Sequence, residues 1–461
     1  MIKQTSIISP PTSVKESLIY TDTYARLTAT EFINLLGRNE ISIYEYVHSC
    51  CERIKKYDAV ISAWEYFDQD MIEERAKKMD KEIAAGKKLL SMTGVMVGIK
   101  DIFNTYDMPT SMGSQILAGH TPGNDARVVS DIRLNGGIIA GKTVTAEFAV
   151  HHPGNTLNPH NLKHTPGTSS SGSAAAVATY MVPVALSSQT GGSTIRPASY
   201  CGVYGFKPSF GLLPRTAMLK TTDTLDSIGF ISRSVSDLRM LFEAIRVRGH
   251  NYPVSDSVLN ESKNRDLKNR PWKVGIVVGP KTSYEADVPR RKLDNLLKKL
   301  NEMETEIFEF KLPSEFQVAH HIHEKIYQRA LAYYFKNEWS NQSNLLSDSL
   351  RFMIEKGLEI SPEEYQKSIE TQVELSKLFD NIVQKTDVLI SLSTSDEAPV
   401  MDTPDLPDHC LIWTLCGAPS ISLPVLEGST GLPVGAQIVS RRFDDYSLLN
   451  FVEYLENSIN K

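Results

Sequence analysis

No stretch of this sequence approaches the roughly 18 consecutive apolar residues that a membrane-spanning helix requires. The opening residues MIKQTSIISPPTSVKE also lack the apolar core of a secretory leader. Disulfide and metal frameworks are missing too. The five cysteines, Cys50, Cys51, Cys201, Cys410 and Cys416, are odd in number and show no ligand spacing. Reduced thiols in a cytoplasmic protein are the expectation. An excess of basic charge is absent: 49 Lys and Arg stand against 55 Asp and Glu, a net charge of −6. That balance argues against non-specific nucleic-acid binding, which runs on basic surfaces. With 27 glycines and 23 prolines in 461 residues, a collagen-like chain is excluded and a largely disordered one is argued against. Neither a nucleic-acid nor a membrane partner is expected.

Ordinary globular composition remains, 41% hydrophobic and 23% charged. At ~150 residues per domain the length suggests about three domains, but α/β enzymes often use it for one. Thr28 with Glu31, and Ser42 with Glu45, are capping-box signatures that open two helices. Asp68–Ala85 reads as a third helix, stopped by Gly86. The character changes after Gly94. VMVGIK reads as a buried strand ending near Lys100, Asp125–Asn135 as a helix and Ile138–Ala140 as a strand. Gly172–Tyr180 reads as a helix and Val182–Leu186 as another buried strand. Ser234–Arg248 is an amphipathic helix, 252–271 an exposed loop, and Trp272–Val278 a strand followed by Gly279–Pro280. Residues 289–379 are charged and mostly helical. Asp387–Ser391, Ser420–Leu423 and Ala436–Val439 read as strands, and Leu448–Glu456 as a closing helix. The alternation implies an α/β fold.

One internal window stands apart. From Thr165 to Ile195, 31 residues pass without a charged side chain, and sixteen of them are Gly, Ser or Thr. Its centre, Ala174–Leu186, is nearly all apolar, which argues against a flexible linker. Three features near this window could carry chemistry, though each alone also fits a plain structural role: Lys100 at a strand end, TPGTSSSGS at 165–173, and QTGGS at 189–193. Gly191 and Gly192 allow a tight turn with successive N–H groups presented to an anion. Ser193 follows directly. Yet Ser193 sits in no G-x-S-x-G elbow, and none of the eleven histidines stands in a triad context. His320, His321 and His323 lack metal-site spacing, so no metal is expected. Cys201 and Cys416 read as packing residues.

Taken together, these segments resemble the amidase signature family of serine hydrolases. VGIKDIF at 97–103, GKTVTAEFA at 141–149, TPGTSSSGSAAAVA at 165–178 and SSQTGGSTIRPASYCGVYGFKPSFG at 187–211 carry the likeness. WTLCGAPSISLPV at 413–425 and GLPVGAQIVSRRFDD at 431–445 extend it. The resemblance implies one catalytic domain with a central mixed, mostly parallel twisted sheet flanked by helices on both faces. Within it, 20–88 would be a helical preface, 94–215 the signature core, 250–386 a variable helical insert and 387–457 a return to the core.

The resemblance also implies roles. Lys100 would be the base, Ser169 the bridging serine behind a cis Thr168–Ser169 bond, and Ser193 the nucleophile. Backbone N–H groups of Gln189, Thr190, Gly191, Gly192 and Ser193 would form the oxyanion hole, with Thr168 and Trp413 as substrate-pocket candidates. No cofactor is implied. The expected reaction is hydrolysis of a small carboxylic amide through a Ser193 acyl-enzyme. The alternatives are a glutaminase subunit of a tRNA-dependent amidotransferase, which would need a partner subunit, and a carbamoyl or ester hydrolase. A homodimer is the default assembly. Three positions depart from the usual family wording: Thr168 for a glycine, Gln189 for an aspartate, and Ile195 for an arginine that falls one residue later at Arg196. The aspartate and arginine can pair where both are present, so their joint loss leaves neither unpartnered. To act near neutral pH, Lys100 would need its pKa lowered by ~3 units from the usual lysine value.

Overall fold

Both capping boxes form in the computed structural model, which describes residues 23–249, 253–265, 270–278, 293–403 and 408–459. The Thr28 hydroxyl accepts the Glu31 N–H at 3.1 Å, and the Glu31 carboxylate accepts the Thr28 N–H at 2.8 Å, opening the helix Ala29–Gly37. Ser42 and Glu45 repeat the arrangement for Ile43–Ile61. Losing a cap of this kind typically costs ~1 kcal/mol. The third helix, Gln69–Ala84, is capped by Asp68 and ends before Gly86, whose φ of 93° suits a residue without Cβ.

Among the described residues eleven strands form one sheet: β1 (Trp64–Tyr66), β2 (Met96–Lys100), β3 (Ile138–Thr143), β4 (Val184–Gln189), β5 (Tyr204–Lys207), β6 (Ser227–Ser232), β7 (Trp272–Val278), β8 (Thr305–Lys311), β9 (Val388–Leu392), β10 (Ser420–Glu427) and β11 (Pro433–Val439). Their spatial order is β1-β3-β2-β4-β6-β5-β10-β11-β9-β7-β8. The sheet is mixed, as expected. Parallel pairing is gathered in two runs, β3-β2-β4 and β9-β7-β8. Antiparallel pairs fill the centre and add β1 at the edge. A short link such as Glu427 to Pro433 permits only antiparallel pairing, whereas the parallel runs need crossovers.

Every residue of β2, β3, β4, β6 and β9 is buried. Strands buried throughout are covered on both faces. The helix Ser171–Ala178 packs over β2, β3, β4 and β6. A second apolar cluster collects residues of the helices Ala319–Tyr334, Asp348–Glu359 and Pro362–Ile382.

Several sequence expectations change. The stretch 252–271, expected as an exposed loop, contains the helix Pro253–Asn264, which places Leu259 in the core; 252 and 266–269 lie outside the described residues, as does Gly279–Pro280. β8 lies in a region read as helical. It sits at the sheet edge with Glu306 and Glu309, and edge strands carry such charges. With β7 it makes the segment 250–386 part of the sheet as well as helical. No described helix is long and apolar enough to cross a membrane, and no described group of three or more His, Cys, Asp or Glu could hold a metal ion.

Candidate active site

Lys100 ends β2 and Gln189 ends β4, two neighbouring parallel strands. Ligands of open α/β sheets bind beyond such carboxyl ends. The charge-free window runs through this place. Of its 31 residues, only Thr165, Thr168, Tyr180, Gly191 and Ser193 are not buried. The composition oddity is therefore a dry wall with Gly191 and Ser193 left open.

The serine run reaches Lys100 because its helix lies close against the chain after β3. A Cβ on Gly172 would stand 2.4 Å from both Ala63 O and Val144 N, so only glycine fits. The Gly172 N–H donates to Val144 O at 3.1 Å and fixes the approach. Ser169 and Ser170 are then delivered to the lysine, and the Thr168–Ser169 peptide is cis. Lys100 Nζ lies 2.7 Å from Ser169 Oγ, 3.0 Å from Ser170 Oγ and 2.8 Å from Ser188 Oγ. It forms no ion pair with a described residue. Burial holds its pKa well below the usual lysine value, and the Asp226 carboxylate partly opposes this. An ammonium would donate to all three hydroxyls. A neutral amine donates to two and keeps one lone pair for a hydroxyl proton.

Ser193 is half-buried, and its Oγ makes no hydrogen bond to another described residue. Ser169 and Ser193 are therefore not hydrogen-bonded to each other in this structure, which does not by itself exclude a relay between them.

The loop between Gln189 and the helix Ile195–Tyr200 has its carbonyls held one by one. Thr190 O meets His323 Nε2 at 2.7 Å. Gly191 O accepts from the Thr414 hydroxyl at 2.7 Å. Gly192 O accepts the Arg196 N–H at 2.8 Å. In a trans peptide the N–H points opposite to its C=O. The N–H groups of Gly191, Gly192 and Ser193 make no hydrogen bond to another described residue. Three successive free donors beside a serine can hold an oxyanion.

The departures have physical accounts. Gln189 Oε1 accepts the N–H groups of Thr194 and Ile195, each at 3.0 Å, and its Nε2 donates to Thr414 Oγ1 at 2.9 Å. An aspartate could accept but not donate. Arg196 pairs with Asp408 at 2.9 Å, so it has a carboxylate without one at 189. Thr168 is half-buried and carries its branched Cβ beside Ser169. Trp413, expected as a pocket candidate, is fully buried against Phe379, with ring centroids 5.5 Å apart. It fills the second apolar cluster. Cys201 is buried with its thiol pushed up by burial, and donates weakly to Pro166 O at 3.6 Å, which is packing.

Sequence reading missed Ser170, Ser188, Asp226, His323 and Thr414. Ser188 stands inside a quoted motif, and its place beside Gln189 was the available signal. Asp226 binds Thr190 Oγ1 at 2.8 Å and also takes the N–H and hydroxyl groups of Thr221 and Thr222. Nothing local in the sequence marks it.

Known proteins resemble this chain over most of its length. Residues 45–449 match the family model described as Amidase. One of the glutamyl-tRNA(Gln) amidotransferase A-subunits of Clostridium acetobutylicum is 30% identical, over 94% of this chain and 97% of its own. The corresponding protein of Clostridium novyi is 29% identical, over 94% and 97%. The native peptide amidase from Stenotrophomonas maltophilia superposes with a TM-score of 0.80 at 22% identity, covering 94% of this chain and 97% of that one. At that identity the likeness shows the fold.

Proposed function

The chain belongs to the amidase signature family of carbon–nitrogen hydrolases, and on that premise we propose that it cleaves a carboxylic amide through an acyl-enzyme on Ser193. The observation that carries this reading is the buried lysine amine held by serine hydroxyls, 2.7 Å from Ser169, beside three unpartnered loop N–H groups. Neutral Lys100 takes the Ser169 proton while Ser169 takes that of Ser193. The Ser193 oxygen bonds to the amide carbon, and the oxyanion rests on the N–H groups of Gly191, Gly192 and Ser193. The relay returns the proton to the nitrogen, the C–N bond breaks, and ammonia or an amine leaves. Water repeats the cycle on the ester and frees the carboxylate.

A second reading concerns the substrate. The curated relatives matched over most of their length are amidotransferase subunits by name, which favours glutamine as the amide and a partner protein as the recipient of ammonia. It outweighs a stand-alone amidase on that count. The test is a panel of glutamine, aliphatic, aromatic and amino-acid amides with simple esters, alongside fluorophosphonate labelling. Ser193→Ala is expected to lose turnover and labelling; full retention of both overturns the assignment. Turnover confined to glutamine supports the amidotransferase reading, and turnover of other amides with glutamine inert supports the stand-alone enzyme.

A further inference from the structure

His323 lies 133 positions from the loop it touches. It is on the helix Ala319–Tyr334 and only 4% exposed. Its Nε2 faces Thr190 O at 2.7 Å. A carbonyl oxygen only accepts, so Nε2 carries the proton and donates. The ring also stands against Gly191: a Cβ placed there would be 3.7 Å from Cε1. Tyr327, one turn further on, packs edge-on against the ring at 6.0 Å and limits its tilt.

The Thr190 carbonyl belongs to the same peptide unit as the Gly191 N–H. Fixing the one fixes the other, on the opposite side of the plane. A hydrogen bond to the carbonyl also polarises the amide and strengthens its N–H as a donor. The Thr190 side chain is tied separately, to Asp226 at 2.8 Å. The imidazole is therefore the contact that sets this peptide plane.

We propose that His323 is a positioning residue for the oxyanion hole: by donating to Thr190 O it aims the Gly191 N–H at the oxyanion formed on the substrate carbonyl. The role rests on the Ser193 reading above. It needs no proton transfer by the ring. Burial holds the imidazole near a pKa of about 4, so the donor stays neutral and unchanged across ordinary assay pH.

The test compares His323→Phe, which keeps a ring and loses the donor, with His323→Gln, whose Nε2 reaches about as far as that of histidine. Three quantities are read: kcat, KM and the rate of fluorophosphonate labelling. Direct oxyanion donors are worth about 10²–10³-fold in kcat. For this indirect contact we expect His323→Phe to lower kcat and the labelling rate by about 10-fold or more, with KM within about 2-fold. His323→Gln should recover most of the loss, which a purely structural role would not predict. If His323→Phe does not fold, His323→Asn, whose amide falls short, takes its place. Wild-type kcat and labelling in the Phe or Asn variant overturn the inference, and so does a Gln variant as slow as that variant. Ser193→Ala is run beside them. If it labels like wild type, the Ser193 reading fails and this inference with it. If it is dead while the Phe variant is fully active, only the role of His323 fails.

Discussion

Lys100 and Lys142 sit side by side on two parallel strands, where Ile99 pairs with Lys142 and Lys100 with Thr143. Both side chains are fully buried, and burial pulls both below the usual lysine value. Their company differs. Lys142 Nζ forms an ion pair with Asp101 at 2.8 Å, and also donates to Thr110 Oγ1 at 2.6 Å and Phe103 O at 3.0 Å. Among the described residues the Lys100 amine is hydrogen-bonded only to hydroxyls. A carboxylate within contact restores the cation and turns the lysine into a strut. A ring of hydroxyls satisfies the amine in either protonation state and leaves it free to accept a proton. One strand apart, the same residue type is a strut in one place and, on the proposed mechanism, the base in the other.

The largest effect should come from removing the amine. Lys100→Ala is expected to cut amide turnover by about 10²–10⁴-fold, the usual worth of a general base. Activated esters should suffer less, because their leaving group needs no proton. On the proposed mechanism the neutral lysine is the active form, so kcat/KM should fall as pH drops through its lowered pKa. The acid limb should lie well below the ordinary lysine value and vanish in Lys100→Ala. An acid limb unchanged in the variant would assign it to another group and end the distinction between the two lysines.

Next in size is the strut. Asp101→Asn leaves the Lys142 cation buried without its counter-charge, a change worth about 3–5 kcal/mol. It also weakens the turn at Ser111 and Met112, whose N–H groups reach Asp101 Oδ2 at 3.0 and 2.9 Å. Denaturant unfolding at neutral pH measures the loss. The sign with pH follows from the lowered pKa of Lys142. Between that value and the ordinary lysine range the unfolded chain binds the extra proton, so stability rises with pH. Without Asp101 the folded pKa drops further, the window widens, and the variant should regain more stability on the alkaline side than the wild type does. Equal stability of variant and wild type at neutral pH would show the pair to be dispensable.

This contrast also marks what could be read in advance. Lys100, Ser169, Ser193 and the loop at 189–193 lie in short runs whose residue types are dictated by a crowded backbone, as Gly172 shows, and such runs are visible as motifs. The capping boxes at Thr28 and Ser42 were visible for the same local reason. Asp101 follows Lys100 in sequence, yet its partner is Lys142, on the neighbouring strand β3. His323 reaches the loop through one hydrogen bond and Thr414 through two, each from a distant segment. Such long-range contacts leave no period or spacing behind them. β8 was hidden by the glutamates that its edge position tolerates, and the helix Pro253–Asn264 by the polar text on its exposed face.

The smallest effect expected is also the most specific to this chain. Gln189 donates to Thr414 Oγ1, and Thr414 has one hydroxyl proton, with Gly191 O at 2.7 Å and Cys410 O at 2.9 Å as acceptors. The Gln189 donor fills the threonine lone pair and leaves its proton for a carbonyl. In Gln189→Glu the carboxylate can still accept the Thr194 and Ile195 N–H groups but invites the Thr414 proton to itself, away from Gly191 O. Thr414→Val removes that proton altogether, while Thr414→Ser keeps it. We expect Val to lower kcat several-fold, Ser to stay near wild type, and Glu at 189 to do little further harm once Val is in place. The coupling in that cycle should be about 0.5–3 kcal/mol, the range for residues sharing one hydrogen-bond network. Strict additivity would mean that the loop holds Gly191 without the Gln189–Thr414 contact. The glutamine would then be only an acceptor, doing no more than the aspartate it replaces.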